Sequence, residues 1–421
     1  MLLIKCGRVH GTGLDKSDIL IQDGKILDIA ESIPATDGME EIDASRLYVA
    51  PGLIDMHVHF REPGYEYKED VMTGASAAAA GGVTTCCCMP NTSPVADNGD
   101  VIRYIVDKAT NAPIRVLPYG AVTIGQKGGE LTDFAELVKA GAVGFSDDGN
   151  PIQSAAVMLR AMRDALVFDL PVISHCEDAE MVKDFAVNDG DVSQELRLKG
   201  RPAIAEGIMV ARDALLAEKT GAKLHIAHVS TAGAVKIIRK AKAAGIRISA
   251  ETCPQYFTLT EKEVLSQGAL ARVNPPLRTE NDVKAVIDGM IDGTIDAIAT
   301  DHAPHSEEEK NRSIEDALSG MVGLETSLAL ALTFLFHGKQ VTLDKVIALM
   351  STNPAGILGI EGGELRKGAR ADIVVFDPDE EWVVDPGLFK SKARNTPFAG
   401  MKLRGKVKYT ISCGNIVYNA L

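Results

Sequence analysis

Histidines and an aspartate at the ends of short apolar runs are the residues of this sequence best suited to chemistry. His57 and His59 close one such run. Because side chains in a strand alternate with a period of two, both imidazoles point to the same side and can hold one metal ion. His175, His228 and Asp301 each end another apolar run. These potential ligands predict a metal site where strands of one sheet converge, and therefore an enzyme.

Composition and charge limit the classes to which this chain can belong. The 421 residues, 46% of them hydrophobic, suffice for one large domain and a smaller one. The formal net charge of −14 argues against nucleic acid or an anionic membrane as the main partner. No apolar stretch reaches the roughly 18 residues that a membrane span needs, and the start lacks a secretory signal. We therefore expect a cytoplasmic protein.

The seven cysteines favour reduced thiols over disulfides. Cys86, Cys87 and Cys88 are adjacent in a predicted buried strand, and the total is odd, which makes a poor disulfide framework. Without a C-x-x-C pair, a cysteine-based zinc site is not expected. We interpret the cysteines as small, mostly buried residues in a reducing compartment.

Short apolar strands alternate with amphipathic helices through the middle of the chain. The predicted strands are Leu53–His57, Val83–Met89, Ile114–Tyr119, Val143–Ser146, Val172–His175, Leu224–His228, Ile246–Ala250 and Asp296–Thr300. The predicted helices are Thr132–Ala140, Ala155–Val167, Gly207–Lys219, Ala232–Ala244 and Asn281–Asp292. This alternation predicts a (β/α)8 barrel of the TIM type. The alternative, an open doubly wound sheet, normally has a Gly-rich phosphate loop where this chain has its first two histidines.

The two ends of the chain have a different pattern from the middle. Near the start, two strand-like runs flank Asp23-Gly24, a strong hairpin signal. Beyond about residue 360, short strands lie between Gly and Pro residues. We expect residues 1–50 and 359–421 to combine into one small, discontinuous β-sandwich around a barrel formed by residues 51–358. The polar segment Ser306–Asp316 is predicted to be a loop over the site.

Catalytic groups of a (β/α)8 barrel gather at the carboxyl ends of its strands. The residues predicted at this rim are His57, His59, Asn91, Asp147, Asp148, His175, His228 and Asp301. One histidine at a strand end is more often structural, but four with an aspartate favour a metal site. Imidazole and carboxylate suit Zn²⁺, with Mn²⁺, Co²⁺ or Fe²⁺ also feasible. His225 is interpreted as structural, because it lies three residues before His228 and should face the other side of the strand.

The sequence resembles a known family. The segment His57–Gly64 (HVHFREPG) resembles the H-x-H-x-R-[DE]-P-G signature of dihydroorotases, within the amidohydrolase superfamily. Further matches are MPNT at 89–92, FSDDG at 145–149, SHCE at 174–177, RVNPPLR at 272–278 and ATDHAPH at 299–305. The resemblance spans essentially the whole chain, and the length is similar to that of the bacterial class I form.

The resemblance implies a particular metal centre. Many relatives bridge two metals with a carbamylated lysine on the fourth strand, where this chain has only Asp147 and Asp148. Class I dihydroorotases place an aspartate there, and the motif favours Asp148. The implied centre holds two zinc ions, bridged by Asp148 and a hydroxide. Its remaining ligands are His57, His59 and Asp301 on one side and His175 and His228 on the other.

The resemblance also implies a reaction, the interconversion of N-carbamoyl-L-aspartate and L-dihydroorotate in pyrimidine (UMP) biosynthesis. Asp301 is expected to carry the proton between water and the leaving nitrogen. Arg61, two residues past His59, points to the same rim, and its guanidinium fork matches the carboxylate of the substrate that does not react. The alternative for Arg61 is a surface ion pair with Glu62.

The family adds further substrate-binding residues. It implies Asn91 and His305 for the carboxylate, and Asn274 with the Ser319–Gly320 backbone for the ring amide groups. Asn91 and Asn274 also adjoin prolines, so both could be turn residues. We interpret His302, beside Asp301, as structural.

Two other functions remain open from the sequence. One is a related cyclic amidase, such as a hydantoinase, dihydropyrimidinase or allantoinase, although these typically use the bridging lysine. The other is a non-catalytic scaffold, which the intact ligand set argues against. The family also suggests a homodimer and association with aspartate transcarbamoylase, whose product is the expected substrate.

Overall fold

The computed structural model describes residues 1–11, 13, 16–183 and 185–420. The strands of the first half are β1 (Leu2–Val9), β2 (Ser17–Gln22), β3 (Lys25–Ala30), β4 (Glu40–Asp43), β5 (Tyr48–Pro51), β6 (Leu53–Val58), β7 (Val83–Cys88), β8 (Arg115–Pro118), β9 (Phe145–Ser146) and β10 (Val172–Ser174). Those of the second half are β11 (Val187–Asn188), β12 (Gly200–Arg201), β13 (Leu224–Ile226), β14 (Ile248–Thr252), β15 (Ala297–Ile298), β16 (Ile373–Val383), β17 (Lys402–Ser412) and β18 (Asn415–Asn419).

Helices separate the strands of the central region. They are α1 (Val71–Ala80), α2 (Gly99–Ala109), α3 (Phe134–Ala140), α4 (Ala155–Leu166), α5 (Ala179–Val182), α6 (Asp191–Leu196), α7 (Ile204–Thr220), α8 (Ala232–Ala243), α9 (Pro254–Thr258), α10 (Glu263–Gln267), α11 (Glu280–Asp292), α12 (Glu307–Lys310), α13 (Ser327–Ala331), α14 (Leu343–Ile347) and α15 (Asn353–Leu358). Many begin at a capping side chain, such as Asp70 before α1 and Thr279 before α11. None in the described part of the chain is long and apolar enough to cross a bilayer.

The central strands pair in parallel, as an alternating α/β chain requires. One sheet has the order β6-β7-β8 and another the order β15-β14-β13-β10-β9. Isolated parallel bridges connect these sheets, from Gly120 to Phe145 and from Val58 to His302. All eight predicted central strands are present. The seventh lies two residues later than predicted, at Ile248–Thr252, which brings Glu251 into the strand.

Strands from the two ends of the chain pair in one sheet. Its order is β18-β17-β16-β5-β1-β2-β3, with β4 paired to β1, and β16 runs antiparallel to β5. The predicted hairpin is present, because Asp23 and Gly24 both adopt positive φ between β2 and β3. In β1 the register shifts between Ile4 and Gly7, after which the strand changes its partner to β5. A side chain at Gly7 would meet Val49, so this change of partner requires glycine.

Buried apolar side chains surround the base of the site. Met56, Cys87, Tyr119 and Ile173 belong to one cluster of buried residues from the parallel strands. All seven cysteines are free, and five of them are buried, whereas Cys413 is exposed. Polar groups beside these strands therefore lie in a medium of low dielectric, where each charge needs a partner.

Candidate active site

Two of the predicted ligands, His57 in β6 and His59 just after it, meet two carboxylates that follow distant strands. Nε2 of His57 lies 3.5 Å from Asp148 Oδ2 and 3.5 Å from Asp301 Oδ1. Nε2 of His59 lies 3.4 Å from the same oxygen of Asp148 and 3.0 Å from that of Asp301. The alternation predicted from the sequence thus directs both imidazoles to one point.

The other two histidines contact the opposite oxygen of Asp148. Nδ1 of His175 lies 3.2 Å and Nε2 of His228 lies 3.3 Å from Asp148 Oδ1, and the two nitrogens are 2.8 Å apart. One carboxylate is therefore shared between two sets of nitrogens, one on each oxygen. This division is the geometry that a carboxylate bridging two cations requires.

The donor set fits metal ions. Ligands about 2.0–2.1 Å from a tetrahedral zinc are about 3.3 Å from one another, close to the separations described above. Nε2 of His57 is buried and has no hydrogen-bond partner among the described residues. His57, His59 and Asp301 form one candidate metal-binding group, and His57, Asp148 and His228 form another. An unpaired buried nitrogen aimed at two carboxylates is a group that a cation would satisfy.

Charges at this centre depend on one another. Burial opposes the charge of Asp148, but His57, His175 and His228 hold its pKa well below the usual value. Burial also opposes protonation of His175, yet Asp148 and Glu177 raise its pKa to about 10. The carboxylate therefore stays ionised, as a metal ligand must.

Asp147 faces away from this centre. Its Oδ1 accepts hydrogen bonds from the backbone N–H groups of Val122 and Thr123, at 2.8 and 3.1 Å, and the Thr123 hydroxyl donates to its Oδ2. Burial raises the pKa of Asp147 to about 6. Of the adjacent aspartates, Asp148 alone contacts the histidines, as the motif indicated.

The sequence reasoning missed two acids that orient the ligands. Glu251 Oε1 accepts a hydrogen bond of 2.7 Å from Nδ1 of His57. Burial opposes its charge, but His225 and His57 lower the pKa of Glu251 to about 2. Glu177 Oε2 lies 3.6 Å from Nε2 of His175. Glu251 carried one signal in the sequence, since it is an ionisable residue next to a buried apolar strand.

His225 has a closer relation to the centre than its predicted structural role implied. Its Nε2 lies 3.2 Å from Glu251 Oε2, and its Nδ1 lies 2.8 Å from the hydroxyl of Ser249. It therefore reaches His57 through Glu251. His302 contacts Glu69 at 3.4 Å and accepts a hydrogen bond from the backbone of Gly323.

The predicted substrate-binding residues share one cavity with the metal-binding centre. The cavity has a volume of about 230 Å³. Its lining includes His59, Arg61, Asn91, Asp148, His175, His228, Asn274, Asp301, His305, Ser319 and Gly320. The tertiary structure thus brings together residues from opposite ends of the central region.

Arg61 lies in this cavity and is not paired with Glu62. Its Nε donates to the carbonyl of Pro304 at 3.2 Å, and its Nη2 lies 3.5 Å from His305 Nε2. Glu62 instead contacts Tyr104 and Lys108. The surface ion pair, weighed as an alternative from the sequence, is therefore wrong.

The two predicted asparagines hold ligand histidines as well as lining the cavity. Asn91 Oδ1 accepts a hydrogen bond of 2.9 Å from Nδ1 of His59. Asn274 Nδ2 lies 3.3 Å from Nε2 of His175, while Arg201 donates to its Oδ1. Such partners fix the orientation of a ligand imidazole.

Several of these residues adopt an uncommon backbone conformation. The φ angles of Arg61, His228 and Asp301 are +64°, +35° and +47°. Non-glycine residues rarely occupy this region, and such strain concentrates at functional sites. The backbone after β6, β13 and β15 therefore adopts a strained conformation at residues of the candidate site.

Comparison with known proteins agrees with this geometry. Residues 46–234 match the family described as dihydro-orotase-like. The dihydroorotase of Geobacter sp. (strain M21) is 49% identical over 100% of this chain and 99% of its own length. That of Pelotomaculum thermopropionicum is 51% identical over 99% of this chain and 98% of its own.

Solved structures share the fold at lower identity. L-hydantoinase (dihydropyrimidinase) from Arthrobacter aurescens superposes with a TM-score of 0.89 at 25% identity, covering 99% of this chain and 96% of that one. A dihydropyrimidinase from Brevibacillus agri gives a TM-score of 0.86 at 24% identity, covering 99% and 95%. The fold and the site define a member of the amidohydrolase superfamily. Within it, the chain belongs to the dihydroorotase family.

Proposed function

We propose that this protein is a zinc-dependent dihydroorotase, which interconverts N-carbamoyl-L-aspartate and L-dihydroorotate in pyrimidine biosynthesis. The observation that carries the proposal is the position of Arg61 in the same cavity as Asp148 and its histidines. A guanidinium beside a candidate metal centre suits a cyclic amide that also bears a free carboxylate. Full-length relatives named dihydroorotase support the same substrate.

We infer that the parallel strands close into a (β/α)8 barrel. The bridges from Gly120 to Phe145 and from Val58 to His302 support closure, because they connect the outer strands of the two parallel sheets. We also propose the domain boundaries 1–50, 51–358 and 359–421, with the terminal strands forming a β-sandwich. The change of partner within β1 supports the sandwich, since one strand serves two groups of strands.

The metal-binding residues would hold two zinc ions. His57, His59 and Asp301 would hold one ion, His175 and His228 the other, and Asp148 would contact both through separate oxygens. When bound, zinc at this site would polarise the scissile carbonyl and lower the pKa of water.

Asp301 is the residue that we propose moves the proton. Its Oδ1 lies between His57 and His59 and lines the cavity, where both water and the ring can approach it. During hydrolysis it accepts a proton from the attacking water and gives it to the ring amide nitrogen as the carbon–nitrogen bond breaks. During ring closure it removes that proton again. Closure takes up a proton overall, so acid pH favours dihydroorotate and alkaline pH favours hydrolysis.

Substrate orientation is assigned to the polar residues of the cavity. Arg61, Asn91 and His305 would bind the carboxylate that does not react, and Asn274 would bind the ring. Burial, with Arg61 and Lys68, lowers the pKa of His305 to about 3, so the imidazole is neutral. Its one N–H, on Nε2, donates to the carbonyl of Ser319 at 2.9 Å, a partner that the substrate carboxylate would replace. The N–H of Gly320 already donates to Arg272 at 2.9 Å. The backbone of Ser319, rather than the N–H of Gly320, would therefore contact the ring amide.

The second candidate function is hydantoinase or dihydropyrimidinase activity, which the fold similarity favours. Those substrates lack the carboxylate that Arg61 would bind. A comparison of turnover on L-dihydroorotate, hydantoin, dihydrouracil and allantoin by one zinc-loaded preparation separates the candidates. Faster turnover of hydantoin than of dihydroorotate would replace the proposal with this alternative.

The direct test is hydrolysis of L-dihydroorotate at alkaline pH. We expect turnover by the zinc-loaded protein, loss of turnover with a chelator, and recovery when zinc is added back. If turnover recovers with Mn²⁺ or Co²⁺ but not with zinc, the proposed reaction stands and the proposed metal is wrong. A metal-replete protein inactive on dihydroorotate, both alone and with aspartate transcarbamoylase, would contradict the proposal.

We also propose a cytoplasmic homodimer that can associate with aspartate transcarbamoylase. This proposal comes from the family resemblance and the net charge of −14. Size-exclusion chromatography with and without the transcarbamoylase tests both associations. A monomer whose elution does not change with the second enzyme would exclude them.

A further inference from the structure

We propose that Asn395 is a positioning residue that, together with Lys310, fixes the wall formed by His305 and Ser319–Gly320 against the reacting ring. This inference rests on the proposed function and deepens it. Asn395 lies in the connection between β16 and β17, far in sequence from the other residues of the site. The terminal sheet would then complete the substrate site as well as covering the barrel.

Both polar atoms of the Asn395 side chain form hydrogen bonds with this wall. Its Oδ1 accepts a hydrogen bond of 3.1 Å from the backbone N–H of His305. Its Nδ2 donates to the carbonyls of Gly320 at 3.1 Å and Ala303 at 3.2 Å. The side chain is nearly buried, with 5% of its surface exposed. The amide offers the one acceptor and the two N–H donors that these three partners require.

Lys310 holds the same segment from another direction. Its ammonium donates to the carbonyls of Leu318 at 2.9 Å, Gly320 at 3.0 Å and Arg272 at 3.2 Å. With 4% of its surface exposed, it is an unusually buried lysine. It lies in the polar segment predicted as a loop, where a short helix forms instead. Three donors meeting three carbonyls leave the segment little freedom to move.

The segment has no spare room on its inner side. Gly320 has φ of +140°, and a Cβ there would lie 2.7 Å from Ala303 Cβ and 3.1 Å from His305 Nε2. Nε2 of His305 in turn donates to the carbonyl of Ser319 at 2.9 Å. The position of His305 and that of Gly320 are therefore coupled, and Asn395 contacts both.

Asn395 acts through these residues rather than on the ring. It lines a neighbouring cavity with Lys310, whereas His305, Ser319 and Gly320 line the cavity of the metal-binding centre. Backbone donors anchor its segment further, since Glu325 accepts from Lys390 N at 2.7 Å. A shift of its amide would move His305 and the Ser319–Gly320 segment without touching a candidate metal ligand.

The test compares Asn395→Asp, Asn395→Ala and Lys310→Met with the wild-type enzyme. Aspartate matches asparagine in shape and can still accept from His305, but it cannot donate to Gly320. We expect KM for L-dihydroorotate to rise about tenfold in Asn395→Asp with bound zinc unchanged, and the unfolding midpoint to fall because two buried carbonyls lose their donor. In the double variant Asn395→Asp with Lys310→Met, the rise in KM should be smaller than the product of the two single rises. Both side chains donate to the same carbonyl, that of Gly320. Asn415→Asp, at an exposed asparagine of β18, is the matched control.

Each outcome separates this inference from the proposed function. Inactive wild-type enzyme would contradict the proposed function itself. Active wild-type enzyme with an unchanged KM in Asn395→Asp and Lys310→Met would overturn the positioning role. If Asn395→Asp loses zinc or fails to fold, the residue is structural and the inference is also wrong. A raised KM with intact zinc content supports it.

Discussion

Glu251 Oε1 lies 2.7 Å from Nδ1 of His57, and both side chains are completely buried. The carboxylate fixes the hydrogen on Nδ1, so Nε2 is left as the nitrogen that faces Asp148 and Asp301. A buried acid behind a histidine ligand raises the basicity of the ring and holds its orientation. The strand β14, which carries Glu251, is therefore part of the candidate metal-binding centre, although the sequence predicted no site residue in it.

Replacing Glu251 should weaken metal binding. We expect Glu251→Gln to lower zinc affinity about 10- to 100-fold, because the charge behind His57 is lost while its shape remains. Competition with a chelating dye measures the affinity directly. Glu130→Gln, at an exposed position, is the control. An affinity within twofold of wild type would show that Glu251 does not support the ligand.

The adjacent aspartates should differ in their effect on metal content. Asp148→Ala should lose most bound metal, since its two oxygens contact all four histidines. Asp147→Ala should keep the metal and lose about 1–3 kcal/mol of stability, because the N–H groups of Val122 and Thr123 lose their acceptor. Elemental analysis and urea unfolding of both variants provide the measurements. The reverse pattern would mean that Asp147 is the bridging residue.

Asp301 should be needed for turnover more than for metal binding. Asp301→Asn keeps an oxygen near His57 and His59 but cannot accept the proton, so we expect kcat to fall about 10²- to 10⁴-fold with most metal retained. Metal analysis on the assayed sample distinguishes the roles. Complete loss of zinc would make Asp301 chiefly a ligand.

Arg61 should determine substrate affinity. Arg61→Met removes a charge-assisted contact worth about 1.5–3 kcal/mol, so KM for dihydroorotate should rise about 10- to 150-fold. Zinc content should not change, because Arg61 does not belong to either candidate metal-binding group. Arg103→Met, at an exposed helix position, is the control. A KM equal to that of wild type would remove Arg61 from the carboxylate site.

Stability should depend on pH through Glu325, which anchors the segment that carries Asn395. Burial raises the pKa of Glu325 from 4.5 to about 7. Between these values the folded state binds more protons than the unfolded state, so the free energy of unfolding falls as the pH rises. Glu325→Gln keeps a side-chain oxygen that accepts from the backbone N–H groups of Lys390 and Ser391. Because glutamine does not ionise, the variant should not show this fall in the free energy of unfolding.

Urea unfolding on both sides of this pH range tests the effect. Near pH 8 the Glu325→Gln variant should be more stable than wild type by about 1 kcal/mol, a figure reduced for partial solvent exposure. Near pH 4.5 the difference should largely disappear. A constant difference at both pH values would show that Glu325 does not titrate in this range.

The sequence by itself determined the local features of the protein. The period of two placed His57 and His59 on one side, and the eight central strands predicted from short apolar runs are all present, although β11 and β12 were not predicted. The turn at Asp23-Gly24 was also predictable, because turn chemistry is a local property. The family signature added the expected site residues.

Only the tertiary structure decided which distant groups meet. It placed Glu251 behind His57 and brought Asn395 to His305 across 90 positions of sequence. Such contacts depend on how strands and connections pack, and no short pattern encodes which distant group a buried polar side chain meets. The local sequence therefore supplied the ligands, and long-range packing supplied the residues that orient them.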